Sequence, residues 1–255
     1  MLLLSSMTHL NESKICNALK KYGKMITKKA KKEAPRSEDR LQPMEFFYGV
    51  IFDQGISADR AWEAPEKLKQ RLGHLDPYKI AGMAEEKLER KIFVAGKSLH
   101  RYRKIANWLI ESSKLLISRY GGDPKKIWND NPRSDDLQRR FEEFKGIGQK
   151  KASMAANILV RDYGVPVRKI DYRGIDVSGD VHVRRVFLRT NLVERDDVDA
   201  IVKVARRLNP QYPGELDLPA WSIGRDFCRP TNPDCSRCPL TSVCPKMVSR
   251  NAQGA

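Results

Sequence analysis

The sequence predicts an all-α fold. Apolar residues recur at spacings of three and four through most of the chain, which is the period of a helix with one buried face. No strand-like alternation persists beyond a few residues, and glycine and proline separate the periodic segments. Helices are expected at 11–32, 43–52, 58–71, 85–95, 99–120, 135–144, 149–163, 181–188 and 197–208. A less regular stretch at 165–179 and a cysteine-bearing tail complete the prediction.

The first predicted helix is amphipathic and strongly basic. Ile15 and Leu19 belong to its apolar face, while lysines cover the other faces with no acidic residue between Lys14 and Lys32. Such a surface suits contact with phosphates or simple solvation. The helix is expected to end just before Pro35, because proline disfavours helical geometry in the residue that precedes it.

The charge of the chain favours a polyanionic partner. Its 255 residues contain 48 Lys and Arg against 32 Asp and Glu, which gives a net charge of +16. Nucleic acid and an anionic membrane surface both fit that charge, as does a role in solubility alone. No apolar run approaches the roughly 20 residues of a membrane span, and the apolar start at 1–4 is too short for a signal peptide. We therefore expect an intracellular, cytoplasmic or nucleoid-associated protein that makes no contact with a membrane.

Four of the five cysteines are clustered near the end of the chain in the pattern C-x6-C-x2-C-x5-C. They are Cys228, Cys235, Cys238 and Cys244. In an intracellular chain this density favours metal coordination over disulfides. Thiolates suit both zinc and iron–sulfur clusters, and four cysteines alone do not decide between them. Cys16 stands apart and is expected to be a small core residue.

The segment 144–152, with the sequence FKGIGQKKA, is typical of the turn in a helix-hairpin-helix. Gly146 and Gly148 allow the backbone to turn tightly and to approach another chain closely. The helix that follows presents free amides and its positive dipole end, where a DNA phosphate fits without base readout. A glycine that only terminates a helix would produce a similar sequence pattern.

In combination, these motifs resemble the endonuclease III superfamily of DNA glycosylases. The cysteine spacing and the preceding WSIGRDFC at 221–228 are similar to its four-iron, four-sulfur loop, and GDVHVRRV at 179–186 is similar to its V-D-T-H-x-x-R-V segment. The resemblance implies a two-domain helix-hairpin-helix glycosylase fold. Residues 36–164 would form a six-helix domain, and residues 1–35 with 165–255 a discontinuous second domain. The second domain would carry a [4Fe-4S] cluster on the four cysteines.

The resemblance also implies two catalytic residues. Lys150 matches the nucleophilic lysine, which attacks the sugar C1′ and forms a Schiff base. Such an amine needs a pKa below its ordinary value of about 10.4, and the adjacent Lys151 is the competing candidate. Asp180 matches the catalytic carboxylate that stabilises the developing oxocarbenium sugar, and it also suits a helix N-cap. Asp171 and Asp176 are alternatives in the same loop.

Further residues are implied in DNA binding. Gln54 corresponds to a residue that enters the DNA at the lesion, although a polar residue at a helix C-terminus gives the same pattern. Leu99 and His100 are alternative candidates for the wedge that fills the gap left by a flipped base. Arg229 lies in the basic loop that the cysteines shape, and it is expected to contact DNA together with Gly146 and Gly148.

The predicted function is base-excision repair by a monomeric DNA glycosylase with AP lyase activity, acting on double-stranded DNA. An oxidised pyrimidine is the predicted base, because the match is to endonuclease III. Mismatch glycosylases for thymine, uracil or adenine, and glycosylases for modified purines, are alternatives, although adenine-removing members generally carry serine where Lys150 stands. A non-catalytic iron–sulfur DNA-binding protein is the alternative from another class. Lys145 replaces the usual hairpin proline and Ser57 an aspartate of endonuclease III, so the pocket residues are not those of that enzyme.

Overall fold

A computed structural model describes residues 2–33 and 36–252. Its α-helices, numbered α1 to α11 in chain order, are Leu2–Glu33, Pro43–Phe52, Ala58–Leu72, Pro77–Ala81, Glu85–Ile92, Lys104–Tyr120, Ser134–Glu142, Gln149–Ile158, Val181–Arg189, Val198–Leu208 and Asp217–Asp226. The described residues contain no β-strand. The all-α prediction is therefore confirmed. Among the same residues, no helix is both long enough and apolar enough to cross a membrane.

Several helices differ from their predicted bounds: α5 ends at Ile92 and α7 at Glu142, and the short helix α4 was not predicted. Helix α1 begins at Leu2, and α6 begins at Lys104 because the preceding residues form a loop. The helical turns after α8 widen into a π-helix at Leu159–Tyr163. These ends depend on packing and capping, which hydrophobic periodicity records poorly.

Helix α11 was absent from the prediction. It contains Pro219 and Gly224, both poor helix formers in isolation. Tertiary contact explains why the segment is helical, since α11 packs against α9 along much of its length. A Cβ atom on Gly224 would lie 2.4 Å from the carbonyl oxygen of His182, so glycine permits this close approach.

The buried apolar residues form two separate cores. The first collects residues between Leu41 and Ile175, and the second joins Ile15, Cys16 and Leu19 of α1 to residues between Val177 and Leu240. Helix α1 therefore packs with the C-terminal part of the chain. We propose a two-domain division on these two cores, with the change between them falling after Ile175 and not at residue 164. Cys16 is 4% exposed within the second core, as expected for a small core residue.

Helix α2 passes through the centre of the first core. Every residue from Phe46 to Phe52 is buried, and Gly49 allows Trp62 of α3 to pack directly on its backbone, where a Cβ would lie 2.6 Å from the Trp62 ring. This packing fixes the C-terminal end of α2. The polar residues that follow it, Asp53 and Gln54, are held at the surface of the core as a result.

Candidate active site and cysteine cluster

Lys150 lies in the first turn of α8, directly after the hairpin. Its Nζ is 3.0 Å from Oδ2 of Asp180 and 3.5 Å from Oδ2 of Asp53. The two predicted catalytic residues, separated by 30 positions in sequence, thus meet in an ion pair. Both carboxylate side chains are largely buried, at 12% and 11% exposure, while Lys150 keeps 36%. The lysine is the member of this group that a ligand can reach.

Asp180 owes its position to the start of α9. It is the N-cap residue, and its Oδ1 accepts a hydrogen bond from the His182 N–H at 2.9 Å. The helix N-terminus favours a negative charge there. Capping therefore uses one carboxylate oxygen and leaves Oδ2 directed at Lys150.

Asp53 is the site residue that the sequence reasoning missed. It follows the last residue of α2, is 8% exposed, and donates its backbone N–H to the Gly49 carbonyl. The sequence did contain a signal, since Asp53 directly follows an apolar helical segment and directly precedes Gln54. A carboxylate at such a place is rarely buried unless it is paired.

The two adjacent lysines have opposite electrostatic environments. Burial lowers the pKa of Lys150, but the negative charges of Asp53 and Asp180 outweigh burial and raise it above its ordinary value. For Lys151, burial is the largest effect and lowers the pKa to about 7. The negative charge of Asp53 offsets only part of the effect of burial, and the positive charge of Lys150 lowers the pKa further. In the free protein Lys150 is consequently an ammonium group held between two carboxylates.

Lys151 points into the first core and away from the carboxylate pair. It is 4% exposed, and its Nζ donates to the Ile51 carbonyl at 2.8 Å and lies 5.1 Å from the centre of the Trp108 ring. A reacting sugar cannot approach an amine enclosed in this way. The geometry therefore favours Lys150 over Lys151 as the nucleophile.

Gln149 connects the helix of Lys150 to the loop of Asp180. Its Oε1 accepts the Gly179 N–H at 3.1 Å, and its Nε2 donates to the Val177 carbonyl at 2.8 Å. Behind the same loop, the Ser178 N–H donates to buried Asp217 at 2.6 Å. These bonds satisfy the backbone of the loop directly before Asp180.

The two hairpin glycines have different structural requirements. Gly146 has a φ of +78°, and a Cβ there would lie 2.4 Å from the Trp108 ring, so the fold itself requires glycine. Gly148 is the N-cap of α8, where a Cβ would meet nothing within 4 Å and no side chain caps the helix. The space above the first amides of α8 is therefore open to a ligand.

The two wedge candidates are both buried. Leu99 is 5% and His100 2% exposed, and His100 Nε2 lies 2.9 Å from the Gln54 carbonyl, which connects the two loops. Neither side chain projects from the surface, so their burial speaks against the wedge prediction. Arg101 and Tyr102, the next two residues of this loop, are exposed, and the Arg101 guanidinium lies 4.7 Å from the centre of the Tyr102 ring. Gln54 itself is exposed.

The four clustered cysteines line one cavity. Arg189, Phe227, Thr241, Lys246 and Val248 complete its wall. Four thiolates are the donor set both of a tetrahedral zinc ion and of a [4Fe-4S] cluster. Within 2–33 and 36–252, no three His, Cys, Asp or Glu side chains are arranged to hold a single ion. The residue types around the cavity therefore fit a [4Fe-4S] group.

Two buried arginines of α9 attach this cysteine loop to the rest of the second core. Arg185 donates to the carbonyls of Cys228 at 2.6 Å and Gly224 at 2.7 Å. Arg189 donates to the carbonyls of Arg229 at 2.7 Å and Pro230 at 2.9 Å. Since Asp180 caps the other end of α9, one helix connects the cysteine loop to the active site.

Arg229 is exposed, but its guanidinium folds back on its own loop. It donates to the carbonyls of Asp226 at 3.1 Å and Asn232 at 2.9 Å. Its predicted contact with DNA stays a prediction. Of the other aspartates considered, Asp171 pairs with Arg173 and Asp176 with Arg206, so neither is near Lys150.

No family model matches the chain. Sequence comparison finds distant similarity to several DNA repair enzymes. The chain is 28% identical over 166 residues to endonuclease III of Bacillus subtilis, covering 62% of this chain and 63% of that protein. It is 23% identical over 214 residues to endonuclease III of Thermotoga maritima, covering 84% and 87%. A 27% match over 149 residues to the adenine DNA glycosylase of Arabidopsis thaliana covers 56% of this chain but 20% of that protein. The match thus spans less than two thirds of the Bacillus protein.

Two solved structures share the fold. One is an endonuclease III trapped as a covalent intermediate with DNA, which superimposes with a TM-score of 0.66 at 22% identity and covers 92% of this chain and 96% of that one. The other is a thermostable thymine-DNA glycosylase, with a TM-score of 0.63 at 14% identity and coverage of 95% and 99%. At these identities the likeness establishes the architecture alone.

Proposed function

We propose that the chain, a distant member of the endonuclease III-like helix-hairpin-helix DNA glycosylase superfamily, is a base-excision-repair glycosylase with AP lyase activity. The single observation that carries the proposal is the 3.0 Å contact between Lys150 Nζ and Asp180 Oδ2. A nucleophilic amine and a carboxylate fixed at a helix N-cap are the two groups that the chemistry needs at one sugar.

In the proposed reaction, DNA lies across the groove between the two cores with the damaged nucleotide turned out of the helix. Lys150 loses a proton and attacks C1′ as the glycosidic bond breaks. Asp180, the N-cap of α9, faces the positive charge that develops on the sugar. The resulting Schiff base allows elimination of the 3′ phosphate.

Binding is proposed to begin at the hairpin. The uncapped amides at the start of α8, beneath the open space at Gly148, suit a DNA phosphate. The exposed lysines of α1 add a positive surface on the second core. Gln54, at the surface directly after Asp53, is proposed to contact the DNA near the lesion.

Cys228, Cys235, Cys238 and Cys244 are proposed to hold a [4Fe-4S] cluster. Such a cluster supplies four strong covalent links to the loop, and it can also carry an electron. In this chain the residues around it serve structure: Arg185 and Arg189 connect the loop to α9, whose first turn contains the Asp180 cap. The cluster would therefore stabilise the second core without taking part in base removal.

The base that is removed is proposed to be an oxidised pyrimidine, on the endonuclease III likeness. Mismatched thymine, uracil or adenine and modified purines are the competing substrates, since an adenine glycosylase and a thymine glycosylase are also among the similar proteins. A panel of duplexes, each with one defined lesion, assayed for base release and strand nicking, separates these substrates.

Borohydride trapping tests the mechanism. Reduction during turnover converts a Schiff base to a stable amine, so wild-type protein should form a covalent adduct with a damaged duplex. Lys150→Gln should abolish the adduct and retain DNA binding, and Asp180→Asn should lower base release about 10²-fold or more. Lys151→Gln is the matched control on the neighbouring lysine. Loss of trapping in the control alone, with Lys150→Gln active, would contradict the assignment.

A further inference from the structure

Asp53 is a buried carboxylate to which the reaction described above gives no part. It is 8% exposed, its Oδ2 lies 3.5 Å from Lys150 Nζ, and it also acts electrostatically on Lys151. An ion pair between Lys150 and Asp180 alone would already balance the lysine charge. A second buried carboxylate on the same ammonium group therefore calls for a function.

The two carboxylates lie at opposite kinds of helix end. Asp180 caps the N-terminus of α9, where the helix dipole favours a negative charge. Asp53 follows the C-terminus of α2, where the unpaired carbonyls make a negative charge unfavourable. Asp180 also accepts the His182 N–H, a bond that is stronger to an ionised oxygen. The helix end at Asp180 therefore suits a lasting negative charge, whereas the helix end at Asp53 does not.

We propose that Asp53 is a catalytic residue, the carboxylate that accepts the proton of Lys150 so that Asp180 stays ionised throughout the reaction. The inference rests on the proposed function, in which Lys150 is the nucleophile. Asp53 touches the reacting nitrogen directly, and its burial keeps the proton from exchanging freely with solvent. The two carboxylates thus have separate tasks, one in proton transfer and one in charge stabilisation.

The proposed step balances in atoms and charge. The Lys150 ammonium transfers a proton to Asp53, and the free amine forms a bond to C1′ while the electron pair of the glycosidic bond leaves with the base. Asp53 then protonates the departing base and recovers its charge. Afterwards it takes a proton from the new ammonium and delivers it to the ring oxygen, and the ring opens to the protonated Schiff base.

The ionisable groups around Asp53 determine the pH dependence that this role predicts. Lys150 of α8 contacts Asp53, and buried Lys151 interacts with it electrostatically. Asp180 pairs with Lys150, and the charge of Lys151 lowers the pKa of His100 in the neighbouring loop. Burial lowers the pKa of His100, so that ring stays neutral around neutral pH. With Asp53 in place, the lysine proton has a fixed acceptor, and Schiff-base formation should depend only weakly on pH from about 6 to 9.

The experiment measures the rate of borohydride trapping on a duplex with one abasic site, which reports the lysine without requiring the correct damaged base. Asp53→Asn should slow trapping about 10²-fold at neutral pH. Its rate should then rise steadily towards alkaline pH, where hydroxide takes over the proton. Asp53→Glu, which keeps the carboxylate, should restore a rate nearer to wild type and the shallow profile.

The opposite result would overturn the proposal. If Asp53 only stabilises the ammonium form, removing its charge frees the amine, and Asp53→Asn should trap as fast as wild type or faster at neutral pH. A uniformly slow Asp53→Asn protein whose pH profile parallels that of wild type would also overturn it, since that result indicates a purely structural role. Should Asp53→Asn fail to fold, a steep alkaline dependence in Asp53→Glu would still count against the carboxylate as proton acceptor.

Two controls separate this inference from the proposed function. Asp39→Asn removes the same charge from the exposed 3-10 turn at Glu38–Arg40, and it should leave trapping unchanged. Affinity for a duplex with a non-reactive tetrahydrofuran site verifies that each variant folds. If wild type is not trapped, or if Lys150→Gln still is, the proposed function fails and the role of Asp53 fails with it. If both behave as expected and Asp53→Asn does not, the role of Asp53 alone is wrong.

Discussion

Gln149 binds the backbone of Gly179, with its Oε1 accepting the Gly179 N–H at 3.1 Å. This one hydrogen bond joins the residue before Lys150 to the residue before Asp180. Nε2 of the same side chain donates to the Val177 carbonyl at 2.8 Å. The Gln149 amide therefore makes one donor and one acceptor hydrogen bond to the loop, as a peptide group of an adjacent chain segment would. The separation of the two catalytic groups is therefore fixed by a side chain that touches neither of them.

We predict that Gln149→Met slows borohydride trapping about 10- to 100-fold, because a small displacement of reacting groups is costly in rate. Affinity for a non-reactive duplex should change little, which a titration by fluorescence anisotropy measures. Gln149→Glu keeps the acceptor for the Gly179 N–H but loses the donor to the Val177 carbonyl. Its trapping rate should fall between those of wild type and Gln149→Met. Gln70→Met, an exposed substitution on α3, is the matched control. Equal rates for Gln149→Met and the control would rule out the positioning role.

The buried Lys151 should make stability depend on pH. The unfolded chain holds this proton up to its ordinary pKa of 10.5, whereas burial lowers the pKa in the folded chain to about 7. Unfolding therefore takes up a proton between these values, and the free energy of unfolding should rise with pH by up to about 1.4 kcal/mol per pH unit. Lys151→Met should lose this contribution. Urea unfolding at several pH values from about 7 to 9 gives the comparison, and parallel curves for the two proteins would contradict it.

Arg189 should determine how firmly the cysteine loop is held. It is 2% exposed and donates to three carbonyl groups, those of Arg229, Pro230 and Arg250. Arg189→Met leaves these acceptors without a partner, at about 1–3 kcal/mol for each buried group. Purified wild-type protein should be yellow-brown with about four irons per chain, and the variant should lose iron faster to a chelator. Arg195→Met, an exposed change, is the control. Zinc in place of iron in anaerobically prepared protein would refute the cluster assignment.

Binding to duplex DNA should depend steeply on salt. With a net charge of +16 the chain has ample Lys and Arg to neutralise phosphates. If about six phosphates are contacted, affinity should fall about 10³-fold between roughly 50 and 200 mM salt. Binding releases counterions from the DNA, and this release favours binding less when the salt concentration is higher. A non-reactive duplex titrated at several salt concentrations measures the slope. An affinity that stays flat over this range would contradict the charge argument.

Features that depend only on a short stretch of chain could be predicted from the sequence. Helical periodicity predicted most of the helices, since a helix with one buried face repeats its apolar residues every three or four positions. The cysteine spacing indicated a metal-binding loop, and the glycine pair indicated the hairpin, because both are contained within a few turns of chain. Lys150 and Asp180 followed from short motifs of the same kind.

Tertiary structure alone decided what those local features meet. Asp53 is 97 residues from Lys150 in sequence, and only the packing of α2 against α8 brings its carboxylate to the lysine. The loop at Leu99 and His100 shows the same limit, since its sequence suits an exposed wedge while its packing buries both side chains. Periodicity states which face of a helix is buried, but not which side chain of a distant helix lies opposite. That pairing is set by the packing of whole helices, and it determined here that Lys150 lies between two carboxylates.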